Sequence, residues 1–373
     1  MINSATLSEV EALAMLAAIP LLGSIKIRLL IEYFGSPQEA LAATPEQLSE
    51  LPGFGAKILA GWKKEQNNFN WQKDLALVQE YGADLISYTD QRFPKRLLEI
   101  TDHPVLLYIK GELKPSDQYC LAIVGTRQPS IYGQEMAAQL SDELARMGFT
   151  IVSGLARGID TIAHQGALQV GRTIAVIGSG LANIYPRENS ELAQAISHRG
   201  ALISEFAMAT PPDRQNFPQR NRIVSGMTLG TLLIEAPAAS GAMITMDRAY
   251  RQNRKVFAIP GRADQENFRG NHLLIKNGQA LLVENADDIA GHFNNFFGSM
   301  GAPLPKKKVE IELDKEEKIL WHLLPKEVIS FDEIHRLSKL PTSKLNVLLM
   351  SLHLKKAIKE FPGKIYKRSS LGL

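Results

Sequence analysis

Between Cys120 and about Phe297 the chain alternates short apolar runs with segments mostly long enough for a crossover helix. The runs fall at 120–124, 149–152, 173–177, 201–204, 231–235, 255–259 and 280–283. They are dominated by Val, Ile, Leu and Ala without polar alternation, the pattern of strands covered on both faces and so of a parallel sheet. The fold class expected is α/β, a doubly wound, mostly parallel sheet.

Ligands of such sheets bind beyond the carboxyl ends of the strands. Three strands empty there into glycine turns: Gly125-Thr126-Arg127, Ser153-Gly154-Leu155-Ala156-Arg157-Gly158 and Gly178-Ser179-Gly180. Turns of this kind offer backbone amides at helix starts, where an anion gains about 0.3–1 kcal/mol. Each glycine taken singly is equally well read as a tight βα turn. The arginines in two of the turns, and those of Phe217-Pro218-Gln219-Arg220-Asn221-Arg222, favour an anionic ligand.

On a helix, residues one or two apart diverge, so Arg220 and Arg222 cannot both face one ligand. Arg220 is assigned to phosphate and Arg222 to an acidic partner. Phe217 precedes a proline, which disfavours helical backbone, and it reads either as an exposed stacking platform or as a hydrophobic staple. Ser240-Gly241-Ala242 opens a further helix with Ser240 as the expected N-cap.

Residues 1–70 form a helical region with two similar turns, Ile19-Pro20-Leu21-Leu22-Gly23-Ser24-Ile25-Lys26 and Leu51-Pro52-Gly53-Phe54-Gly55-Ala56-Lys57. They look like a helix-hairpin-helix or sterile-alpha-motif (SAM) arrangement, which either holds a DNA phosphate through Lys26, Lys57 and glycine amides or only packs. Residues 71–118 are a connector with edge strands, 119–298 the sheet domain and 299–312 a linker rich in Gly, Pro and Lys. Residues 313–373 show three short helices and two strand-like halves around Pro362-Gly363, a winged-helix pattern.

The net charge of +3 conceals an asymmetry, because residues 306–373 carry 15 Lys and Arg against 9 Asp and Glu. A single cysteine, Cys120, excludes an intrachain disulfide and suits a reducing compartment. No leader pattern opens the chain and no apolar run approaches the roughly 18 residues of a membrane span, so a cytoplasmic protein is expected.

No catalytic set emerges and no cofactor is expected. The histidines lack metal-site spacing, and Gly178-Ser179-Gly180-Leu181-Ala182-Asn183 lacks the last glycine of the dinucleotide fingerprint. Asp160 and His164, four apart, read as a cap and a core histidine. The alternative is a Rossmann-type nucleotide-binding enzyme such as a nucleoside monophosphate phosphoribohydrolase. Against it, Leu229-Gly230-Thr231-Leu232-Leu233-Ile234-Glu235 places its acid one residue late and lacks the glycine pair of that motif.

Taken together, Ile123-Val124-Gly125-Thr126-Arg127, Ser153 to Asp160, Phe217 to Arg222 and Ser240-Gly241-Ala242 closely resemble the DNA-processing protein A (DprA, or Smf) family, across nearly the whole chain. The resemblance implies an extended Rossmann-like domain between an N-terminal helical domain and a C-terminal winged helix. It further implies a non-enzymatic single-stranded DNA-binding protein that loads RecA during natural transformation and forms a homodimer through the Rossmann-like domain. Carried over by motif, the DNA site comprises Gly125, Thr126, Arg127, Ser153, Gly154, Ala156, Arg157, Gly158, Phe217, Arg220, Asn221, Ser240 and Gly241. Gln219 stands where family members often carry a basic residue, which leaves the electrostatics to Arg127, Arg157 and Arg220. On this reading Arg127→Ala or Arg220→Ala weakens binding with the fold intact.

Overall fold

The computed structural model describes residues 7–68, 70–293, 312–325 and 327–369. Two compact units divide the chain, residues 1–303 and 304–373. Residues 299–311 of the expected linker lie outside the described residues.

In the first unit, helices α1 (Glu9–Ala17), α2 (Ser24–Phe34), α3 (Pro37–Ala42), α4 (Pro45–Ser49), α5 (Ala56–Asn68) and α6 (Trp71–Glu80) precede the sheet. Their starts follow from local chemistry. Ser8 and Thr44 form capping boxes with Glu11 and Gln47, and Ser36 and Asn70 cap through their side chains. The apolar faces of these helices join Leu106, Tyr108, Ala175 and Leu202 of the sheet in one core.

The connector supplies β1 (Ala83–Ser87) and β2 (Leu106–Gly111). Then follow β3 (Cys120–Val124), α7 (Ile131–Arg146), β4 (Thr150–Ser153), α8 (Ile159–Val170), β5 (Thr173–Val176), α9 (Ser190–Arg199) and β6 (Ala201–Ser204). The unit continues with α10 (Asn216–Gly226), β7 (Gly230–Leu233), α11 (Gly241–Arg251), β8 (Lys255–Ala258), α12 (Arg269–Lys276), β9 (Leu281–Leu282) and α13 (Ala286–Gly291).

Among the described residues these strands form a nine-stranded sheet in the order β1-β2-β6-β5-β4-β3-β7-β8-β9. Pairing is parallel from β6 through β9 and antiparallel at β1/β2 and β2/β6. The chain moves outward from β3 to β6 and then returns to β3's other side as β7. The order therefore reverses at β3, and a crevice opens beyond the carboxyl ends of the strands at such a switch point.

Both faces of the sheet are covered, as the uninterrupted apolar runs require. Leu121, Ile123, Ile151 and Leu232 pack with residues of α7 and α8, whereas Ala122, Val124, Val152 and Leu233 pack with Ile223, Val224, Met246 and Ala249 of α10 and α11. Cys120 is buried in β3. No described helix is long and apolar enough to cross a membrane.

The second unit holds α14 (Lys315–Leu323), β10 (Ile329–Ser330), α15 (Phe331–Ser338), α16 (Thr342–Leu354), β11 (Ile358–Phe361) and β12 (Ile365–Arg368). The strands pair in the order β10-β12-β11, and Gly363 turns the wing with φ 88°. On α16 Leu345, Leu348, Leu349 and Leu352 form the core, while Val347, Met350 and Leu354 are exposed on the other side.

Candidate nucleic-acid interface

A cavity of about 460 Å³ lies at the switch point, lined by the ends of β3 and β4, the first turns of α10 and the start of α11. Of the thirteen residues drawn from the sequence, Gly125, Thr126, Arg127, Gly154, Ala156, Phe217, Arg220, Asn221, Ser240 and Gly241 line it. Ser153, Arg157 and Gly158 do not. The Ser153 hydroxyl is buried and donates to the Ile123 carbonyl at 2.6 Å. Arg157 turns outward onto Glu188. Gly158 has φ 75°, and a Cβ there would sit 2.4 Å from the Thr126 carbonyl oxygen, so this residue shapes the turn and lies outside the lining.

Arg127 is exposed and has no acidic partner among the described residues. Its guanidinium carbon lies 5.7 Å from the centre of the Phe217 ring, and that of Arg220 lies 5.9 Å from it. Phe217 is half-buried inside the first turn of α10, where the sequence suggested it stays outside the helix. Pro218 is accommodated because first-turn N–H groups have no intrahelical acceptor to lose.

Tyr185 extends the aromatic surface. It is 39% exposed, and its ring centre is 6.0 Å from that of Phe217 at a 44° tilt. The sequence analysis missed it, although an aromatic residue shortly after the third glycine turn is a readable signal. Gly178, in that turn, lets Phe217 approach, since a Cβ there would come within 2.9 Å of the ring.

Arg220 departs most from expectation. Only 4% exposed, it donates from Nη1 to the carbonyls of Gly154 and Val176 and from Nε to Asn221 Oδ1 at 3.2 Å. A Cβ on Gly154 would sit 2.5 Å from the guanidinium, so this glycine makes room for the charge. Burial holds Arg220 down to about 10, opposed by the Asp160 carboxylate and reinforced by Arg127. Arg220 is thus a buried cation set into the cavity wall, whereas Arg222 pairs with Glu205 and Asp102 as the helical spacing predicts.

Asp160 also belongs to the lining. Its Oδ2 accepts from the amides of Gly154 at 3.1 Å and Ala156 at 3.4 Å, and burial raises its pKa against the pull of Arg220. Those two amides were expected to meet phosphate, and they are already engaged. The Thr126 amide donates to the Glu235 carbonyl at 2.7 Å.

The open amides are at α11 instead. Ser240 occupies the N-cap position with extended backbone but makes no capping bond, against expectation, and its Oγ is buried without a partner among the described residues. A Cβ on Gly241 would meet open space. An uncapped helix end therefore faces the cavity beside Arg127 and Asn221, an arrangement that suits an anion.

The acid required by the hydrolase alternative is not available. Glu235 is fully buried and its carboxylate accepts from the Ser130 amide and hydroxyl and from Asn267 Nδ2, at 2.7–3.1 Å. It anchors the start of α7 and leaves the cavity without a free carboxylate at that strand end.

The family model of DNA recombination-mediator protein A matches residues 84–294, more than half of the chain, and that of the DprA winged helix domain matches 304–364. The chain is 36% identical over 304 residues to Protein Smf of Synechocystis sp., covering 80% of this chain and 73% of that protein. It is 39% identical over 217 residues to DNA processing protein DprA of Bacillus subtilis, covering 58% and 73%. Among solved structures, DprA of Streptococcus pneumoniae matches with a TM-score of 0.65 at 32% identity, covering 76% of this chain and 98% of that one. A DprA structure from Helicobacter pylori, solved for its single-stranded DNA binding mode, matches with a TM-score of 0.53 at 30% identity, covering 58% and 97%. With a crevice, a cationic aromatic wall and these relatives in agreement, the chain belongs to the DNA recombination-mediator protein A family.

Proposed function

We propose that the switch-point cavity holds a single DNA strand and breaks no bond in it. The observation that carries this reading is the exposed Arg127, without an acidic partner among the described residues, set against Phe217 and Tyr185, next to the uncapped start of α11. In the mechanism, Arg127 and the α11 amides take a phosphate, and an unstacked base lies on Phe217 with Tyr185 beside it. Asp160 and Arg220, within the wall, hold it rigid through their bonds to the backbone at the ends of β4 and β5. A duplex, with its bases stacked and paired, cannot use the aromatic surface, so single strands are preferred and sequence matters little.

Kinship to the DNA processing proteins of Bacillus subtilis and Streptococcus pneumoniae supports a cytoplasmic role in handling DNA during natural transformation, with the bound strand passed to RecA. A homodimer through the Rossmann-like domain agrees with the open sheet edge, where Leu281 and Leu282 of β9 and Leu273 of α12 are 40–51% exposed.

Phe217→Ala tests the stacking role. Affinity for oligothymidylate, measured by fluorescence anisotropy, is expected to fall by about 1–3 kcal/mol, the range for one base on one aromatic ring. An unchanged affinity makes Phe217 a packing residue only.

A further inference from the structure

A second cavity of about 790 Å³ lies on the other flank of α10, between that helix and the turn that opens α2. Asn216, Gln219 and Arg222, three residues apart, line it, whereas Phe217, Arg220, Asn221 and Val224 line the first cavity. The helix between the two is about 10–12 Å across with its side chains.

Two independent features of the second cavity call for a ligand. Gly23 is the N-cap of α2 and offers no side-chain cap, and the amides of Gly23, Ser24 and Ile25 have no protein acceptor among the described residues. Open space adjoins Gly23 and Lys26 follows in the same turn. Separately, Arg222, only 8% exposed, has a buried Nη1 without a partner among the described residues. Its Nη2 is engaged by Glu205 and Ser24, and Asp102 stands 3.7 Å from its Nε. Both carboxylates are thereby tied to Arg222 and leave Lys26 and the α2 amides as the anion-attracting side.

The remaining wall is apolar, from Ala14, Ala17, Pro20, Leu21 and Ile25, with Leu21 and Ile25 exposed at 65% and 57%. An amide-lined corner, an apolar wall and a buried donor lacking an acceptor together match a nucleotide. Resting on the single-strand reading above, we propose that the strand held in the first cavity continues over the N-terminal end of α10 into the second. There a further phosphate sits on the Gly23–Ile25 amides beside Lys26, and its base lies against Leu21 and Ile25.

The test is affinity for oligothymidylates of increasing length, measured on the full chain, on Lys26→Glu and on Arg127→Ala. The wild type is expected to gain affinity in a second step once the oligonucleotide spans both flanks of α10. Lys26→Glu is expected to bind the shortest oligonucleotides as the wild type does, to lose about fivefold on the long ones, and to show a salt slope shallower by about 0.7 there. Arg127→Ala is expected to weaken every length. Loss on Arg127→Ala with no length-dependent change on Lys26→Glu overturns the second subsite and leaves the first. Equal loss on Lys26→Glu at all lengths, as from a general charge effect, also overturns it, and a wild type that binds no length overturns both readings.

Discussion

Arg220→Ala is expected to destabilise the first unit by about 3–5 kcal/mol, because it leaves Asp160 as an uncompensated buried charge. The Gly154 and Val176 carbonyls lose a donor in the same step, which adds to the loss. Urea denaturation of the full chain measures this as a lower midpoint for the transition of the larger unit. Arg220→Lys retains the charge without the planar fork and is expected to fall between the two. Adding Asp160→Asn to Arg220→Ala is expected to recover part of the loss, since the opposite charges of the two groups act on each other through space. A change below about 1 kcal/mol in Arg220→Ala means that the guanidinium faces solvent, as the sequence pattern alone suggested.

The second large effect is acid lability. His164 is fully buried, its Nδ1 pairs with Thr173 Oγ1 at 2.6 Å, and its Nε2 has no partner among the described residues. Burial, reinforced by Arg220, holds its pKa down to about 3, against 6.5 for the ordinary side chain. Between those values the unfolded chain takes up a proton that the folded chain refuses. Stability is fully present above about pH 6.5 and falls on acidification toward pH 3, by about 1.4 kcal/mol per unit. Asp160 acts in the opposite sense, since its raised pKa favours the folded state at low pH and that contribution is lost as pH rises. Comparing the wild type with His164→Asn isolates the histidine. Urea midpoints collected from pH 7 to pH 4 are expected to fall less steeply in the variant, by close to one proton. Parallel curves refute the assignment.

The sheet was legible because a strand covered on both faces needs an uninterrupted apolar run, and the chain has one for each of β3 to β8, with a further apolar run at the exposed edge strand β9. The meeting of the glycine turns at one rim followed from that topology. The ownership of hydrogen bonds did not. Sequence spacing separates Arg220 from Arg222, but it does not show that the carbonyls at the ends of β4 and β5 draw Arg220 inward. Nor does it show that Asp160 claims the amides of Gly154 and Ala156. These are contacts across 4 to 66 residues, fixed by packing. The same holds for Asn271, a buried carboxamide that bonds the Ala236 amide and the carbonyls of Leu233, Ile234 and Ile259, and so ties together the ends of β7 and β8 behind the cavity. Its helical surroundings in the sequence give no hint of that role. Ser240 shows the converse case, a good capping residue whose cap is not made, which leaves the helix end open toward the cavity.

The central claim is that an exposed Arg127 beside Phe217 grips an unpaired polynucleotide, and a gel shift with short oligothymidylate tests it most directly. The wild type is expected to retard the single strand in preference to a blunt duplex of equal length, and Arg127→Ala, with unchanged stability, to need about tenfold more protein for the same shift. Equal retardation of duplex and single strand, or an Arg127→Ala titration that overlays the wild type, contradicts the account.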